Sequence, residues 1–183
     1  SAQPIGPRGN GAIPYTLIRY ERDPVTRLAP AKYKALHPTG TAPVITDGDL
    51  VLAESGAIIE YVTAKYGKGS LAPGPDSPHF ADYLFWLHFA NGSFMPSYMG
   101  GMFTALSGGS IDHPMIHLLE ARKHSAYTLI ESHLGKNDYF AGNTLTAADI
   151  NMIFPLTTMR MFVPFDLAPY PNIRRYLQRI GER

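Results

Sequence analysis

An acidic residue followed by a hydroxyl at the predicted start of a helix has a definite chemical use, and this chain carries such a pair at Glu54-Ser55. The first amides of a helix have no partner within it and lie at the positive end of its dipole, so the backbone and hydroxyl of Ser55 suit a carboxylate. Glu54 suits an ammonium. A free α-amino-acid end, with both charges on one carbon, satisfies the two together. Upstream, Ala42-Pro43 opens a predicted strand. If that X-Pro bond is cis, the N–H and C=O of Ala42 face outward, and an extended peptide can add there as a short strand.

Other chemistries are narrowed by composition. The chain has no cysteine, which excludes disulfides, thiolate metal sites and a protein thiol nucleophile. Thiol chemistry must therefore use a thiol carried by the ligand. A formal charge of +1 gives no field to gather nucleic acid or an anionic membrane. No apolar run has the length of a membrane span, and the first residues lack the order of a signal peptide, so the expectation is a cytoplasmic protein. His113, His117, Glu120 and His124 share one face of a predicted helix; with nothing beside them to orient a metal ligand, they read as a solvated face and no metal is expected.

The elements that must position these residues follow from pattern. Residues 1–12 mix Gly and Pro without periodicity and read as a flexible arm. Thr16 to Glu21 is β-branched, aromatic and partly alternating, which predicts a strand, and a short helix is predicted over Ala31 to Leu36. Pro43 to Thr46 and Asp49 to Leu52, joined by Asp47-Gly48, predict a β-hairpin with a primed turn. Ser55 opens a helix with Ile58, Ile59, Val62 and Tyr66 at helical spacing, ended by Gly67. The unpatterned stretch 68–76 is read as a linker between a domain over 13–67 and an all-helical domain over 77–183.

In the second half, Ser77 with Pro78 predicts a helix start, running through Ala90 and broken or bent by Pro96, Gly100 and Gly101. A long helix is expected from Pro114 to Leu134. Another begins at Thr146, where Thr146 and Asp149 form a capping box and Leu145 and Ile150 a hydrophobic staple, with Pro155 kinking or interrupting it. The last runs from Pro171 to Gly181. Met95, Tyr98, Met99, Met102 and Phe103 read either as an adaptable wall for apolar co-substrates or as helix core.

The run from His37 to Ile45, then Asp47-Gly48-Asp49, then Leu52 to Tyr61, resembles the glutathione site of the soluble glutathione transferases, with the flavour of their bacterial and fungal Gtt-like branch. The Thr146–Asp149 box, preceded by Ala141-Gly142, is similar to the helix-starting motif of that family's helical half. The resemblance implies an α+β two-domain fold: an incomplete thioredoxin-like α/β N-terminal domain and an all-α C-terminal domain. It implies that Ala42, Pro43, Val44, Glu54 and Ser55 hold glutathione as co-substrate, with no further cofactor. It also implies a small hydrophobic electrophile as second substrate, and a homodimer. Family members open with a strand, a loop whose Ser, Tyr or Cys bonds the glutathione sulfur, and a first helix. Residues 1–12 do not match that unit, which is read as missing or replaced, so the catalytic residue is left unknown. Thr41 stands where relatives often carry a Lys for the glycine carboxylate. The implied activity is conjugation of glutathione to electrophiles; the alternative is a non-catalytic glutathione-binding or regulatory dimer.

Overall fold

In a computed structural model, residues 4–5, 13–26, 28–110 and 112–183 are described. The chain divides into two compact units, Ser1–Tyr66 and Gly67–Arg183.

The first unit is mixed α/β. Strands β1 (Pro4–Ile5) and β2 (Tyr15–Thr16) pair antiparallel, Pro4 with Thr16 and Ile5 with Tyr15. This corrects the expected structureless arm at Pro4–Ile5, because the backbone edge of Tyr15–Thr16 recruits a partner there; the rest of 1–12 lies outside the described residues. The strand expected over Thr16 to Glu21 is also cut short. Its side chains favour a strand, but a strand needs a neighbour, and among the described residues none pairs with the chain beyond Thr16, where Leu17 and Ile18 are 55% and 60% exposed. A short helix, α1 (Ala31–Lys34), follows.

Strands β3 (Val44–Asp47) and β4 (Leu50–Ala53) form the hairpin, with Val44 opposite Ala53 and Asp47 opposite Leu50. The loop is therefore Gly48-Asp49 rather than Asp47-Gly48. Its positive φ falls at Gly48 (59°) and not at Asp49, the pattern of a primed turn with glycine at its first central position. Helix α2 (Ser55–Tyr66) begins after a single residue, Glu54.

The second unit is helical: α3 (Phe80–Phe89), α4 (Met95–Leu106), α5 (Pro114–Leu134), α6 (Ala147–Leu156), α7 (Met159–Phe162) and α8 (Pro171–Gly181). Helix α3 starts later than Ser77 suggests, since the Ser77 hydroxyl instead closes a turn by accepting the His79 N–H at 3.2 Å. Of the break or bend expected between α3 and α4, the break does not occur. A π-helical turn over Ala90–Phe94 carries the chain straight into α4, and this wider turn just ahead of Pro96 relieves the ring–carbonyl clash a proline makes in a regular helix. Pro155 lies one residue from the end of α6, which it terminates rather than kinks.

The core of this unit is aromatic. Trp86 packs on Phe140 at 4.9 Å and on His133 at 4.7 Å, and Phe165 stacks on Tyr127 at 3.8 Å. The hydroxyls of Tyr98 and Tyr127 bond to each other in the interior, and burial pushes both phenols above their ordinary range. Asn151 of α6 donates to the Leu87 carbonyl of α3 at 2.8 Å. The start of α8 is capped from a distance: both Glu131 oxygens accept backbone amides, from Asn172 at 2.9 Å and Ile173 at 3.0 Å, which is the helix end where a carboxylate is favoured.

Asp149 has no exposed surface. Its carboxylate accepts from the Phe140 N–H at 3.0 Å, the Thr146 N–H at 2.8 Å, the Thr146 hydroxyl at 2.9 Å and the Tyr176 hydroxyl at 3.2 Å. One side chain thus joins the start of α6 to the turn before it and to α8. In that turn Gly142 has φ 92°, and a Cβ there would meet the His79 ring at 2.7 Å. Gly142→Ala is expected to destabilise this unit by about 2–4 kcal/mol, from left-handed backbone cost plus overlap, read as a lower urea midpoint at unchanged slope. Among the described residues no helix is long and apolar enough to cross a membrane.

Candidate functional site

The antiparallel register brings the two sequence-predicted pieces together. With Val44 opposite Ala53, the chain enters the hairpin at Ala42-Pro43 beside the point where it leaves at Glu54-Ser55. The Ala42-Pro43 bond is cis, and Ala42 and Pro43 are exposed at the head of β3, with Val44 half-buried as its first residue. The segment ahead of them is tied to α1 by the Tyr33 hydroxyl, which donates to the Thr41 carbonyl at 3.2 Å.

Among the described residues Glu54 is one of two non-glycine residues with positive φ, at 72°. Left-handed backbone costs an ordinary residue roughly 1–2 kcal/mol, and such strain persists where the surroundings over-determine it and gathers at functional positions. The Glu54 carbonyl accepts the first helical bond of α2, from the Ile58 N–H at 2.9 Å. Its side chain is exposed, and among the described residues no hydrogen bond or ion pair engages it. The corner therefore presents a carboxylate to solvent beside the opening amides of α2, with half-buried Ser55 as its first residue. A group with an ammonium and a carboxylate on one carbon finds a partner for each charge.

A cluster at the opposite end of the hairpin was not foreseen. Asp47 accepts from the Tyr61 hydroxyl at 2.8 Å, Lys65 Nζ at 2.8 Å and the Tyr66 hydroxyl at 2.5 Å. Lys65 Nζ also donates to the Tyr61 hydroxyl at 2.8 Å and lies 5.2 and 5.3 Å from the Tyr61 and Tyr66 ring centres. The i,i+4 spacing of Tyr61 and Lys65 was the available signal, but Asp47 reads as a turn residue and Tyr66 as an apolar one. Bonds from Lys65, then Tyr66 and Tyr61, hold the Asp47 carboxyl down at about 2. A depressed carboxyl contributes stability that is present above its unfolded value of about 3.9 and is lost as pH falls through its folded one. Asp47→Asn is accordingly expected to weaken the acid dependence of urea unfolding between those two values.

The histidine face resolves into separate pairings. His113 Nδ1 accepts the Met115 N–H at 3.2 Å, His117 meets Asp112 at 2.8 Å, Glu120 pairs with Lys123 at 2.6 Å, and His124 packs on Phe165 at 5.2 Å. Among the described residues no three His, Asp or Glu gather to hold a metal. On α4, Tyr98 is core at 1% exposure, while Phe103 is 57% exposed and Met95, Met99 and Met102 are half-buried.

Known proteins share both halves. Residues 12–73 match the model of the glutathione S-transferase N-terminal domain and residues 94–183 that of the C-terminal domain. Glutathione S-transferase 3 of Schizosaccharomyces pombe is 30% identical over 184 aligned positions, covering 93% of this chain and 74% of the relative. Glutathione S-transferase GstB of Escherichia coli is 28% identical, covering 84% and 74%. A crystal structure of a glutathione S-transferase from Actinobacillus pleuropneumoniae is similar with a TM-score of 0.79 at 30% identity, covering 90% of this chain and 74% of that one. A thioredoxin-like half and a helical half, matched in order and over most of the length of these relatives, place the chain in the glutathione S-transferase family.

Proposed function

We propose that this protein binds glutathione at the corner between β4 and α2 and conjugates its thiolate to small hydrophobic electrophiles. The observation that carries the reading is Glu54, held left-handed with its carboxylate in solvent at the head of α2. Glu54 takes the ammonium of the γ-glutamyl end and the amide and hydroxyl of Ser55 take its carboxylate, while Ala42, Pro43 and Val44 line the path of the extended tripeptide. Family membership supports the same ligand. In this reading 13–67 is the binding domain, 68–76 a linker and 77–183 the helical domain. Thr146 and Asp149 serve structure, and the protein works as a homodimer in the cytoplasm with no metal or further cofactor.

The step itself is attack of the glutathione sulfur, as thiolate, on an electrophilic carbon, forming a C–S bond as the bond to the leaving group breaks and, for an aryl halide, halide departs; a hydrogen-bond donor at the sulfur lowers its pKa toward neutrality. A second reading is a glutathione-binding dimer without turnover. What favours it is that Glu54 and Ser55 recognise the charged end of the tripeptide, and neither is assigned to its sulfur. Retention on immobilised glutathione, run beside a conjugation assay with a reactive aryl halide, separates the two. Retention with turnover is expected of the transferase and retention alone of the binder, and loss of both contradicts the site.

A further inference from the structure

Helix α2 is held at two places. At its start, β4 passes into it through Glu54 alone, so the sharp turn of the chain is made by one left-handed residue. Toward its end, Tyr61, Lys65 and Tyr66 close on Asp47, the last residue of β3 beside the hairpin tip. Between them Ile58, Ile59 and Val62 are half-buried and Thr63 is the one buried residue of the helix within the described structure, so packing along the helix is partial. A strained φ survives only where its surroundings over-determine it, and the Asp47 cluster is a polar tertiary contact of this unit placed to contribute to that.

We propose that Asp47 is a positioning residue for the glutathione site: by gripping Tyr61, Lys65 and Tyr66 it stops α2 swinging about Glu54, and so presents the Glu54 carboxylate and the Ser55 amide in one orientation to the γ-glutamyl head. The inference rests on the glutathione reading above. Asp47 touches no substrate, and its effect is on the fraction of molecules whose corner is ready to bind. If release of the clamp leaves about one molecule in ten correctly arranged, the apparent Kd rises about tenfold with the intrinsic contacts unchanged.

The test uses the full chain and two readouts. Hydrogen exchange at Ile58 and the next amides of α2, without ligand, reports whether the corner is held; calorimetric titration with reduced glutathione reports the consequence. Asp47→Asn and Lys65→Met are each expected to speed exchange and raise Kd by roughly 5- to 10-fold, and the double variant by no more than either, because the two act as one unit. Lys65→Arg is expected to regain both, since a guanidinium restores the ion pair. Arg19→Ala, which breaks the exposed Arg19–Glu21 pair of the same unit, is expected to move neither. Unchanged exchange, additive losses, or no recovery in Lys65→Arg overturn the proposal. If the unaltered protein does not bind glutathione, the ligand reading fails but the clamp is still decided: exchange that rises and is regained supports it, and exchange that stays the same overturns it.

Discussion

Glu54→Ala is expected to raise the Kd for reduced glutathione by roughly 10- to 150-fold, the loss of one charge-assisted hydrogen bond of about 1.5–3 kcal/mol. The side chain is exposed and engaged by no other described residue, so its removal leaves no buried group unpaired, and the melting temperature should hold or fall slightly. A small fall is expected because alanine is no better suited to φ 72° and gives up the attraction of a carboxylate to the start of α2. Glu54→Gln separates charge from shape: it keeps an oxygen to accept a hydrogen bond but not the charge that attracts an ammonium, and falls between parent and alanine. Calorimetric titration checks all three proteins. Equal affinity in Glu54→Ala would move the γ-glutamyl end elsewhere.

Asp149→Ala acts on stability and not on ligand chemistry, and is expected to cost about 3–5 kcal/mol. Four donors converge on this carboxylate in the interior: two backbone amides and two hydroxyls. Truncation leaves the Phe140 and Thr146 amides and the Tyr176 hydroxyl without their acceptor, and an abandoned buried donor costs more than the bond it made. Burial also pushes the Asp149 carboxyl above its ordinary range, against the opposing pull of those donors. Asp149→Asn keeps an acceptor but turns part of the amide toward donors, so it should fall between the two. Urea unfolding followed by far-ultraviolet circular dichroism measures the loss, and the helical unit should carry it.

What could be read in the sequence was whatever depends on near neighbours. The hairpin, the start of α2, the ends of α5 and α8 and the return half of the capping box, from Asp149 to the Thr146 N–H, are set by residues a few positions apart, and the structure shows each. Errors arose where a distant partner decides. The strand expected over Thr16 to Glu21 is Tyr15–Thr16 among the described residues, set by pairing with the distant Pro4–Ile5, and Pro96 follows a π-helical turn that carries the helix on without a break. The cap of α8 is invisible locally, since Glu131 reaches it from the middle of the unit. At the site, the type and spacing of Glu54 and Ser55 were legible, but the strained φ of Glu54 and the Asp47 grip that accompanies it appear only once strand and helix are folded together.

A crystal structure of the protein with reduced glutathione tests the central claim most directly. The account predicts the γ-glutamyl ammonium within hydrogen-bonding distance of the Glu54 carboxylate, its carboxylate on the backbone N–H of Ser55, and the tripeptide running extended along Ala42-Pro43. A tripeptide bound elsewhere, or that corner filled by the protein's own atoms, would contradict it.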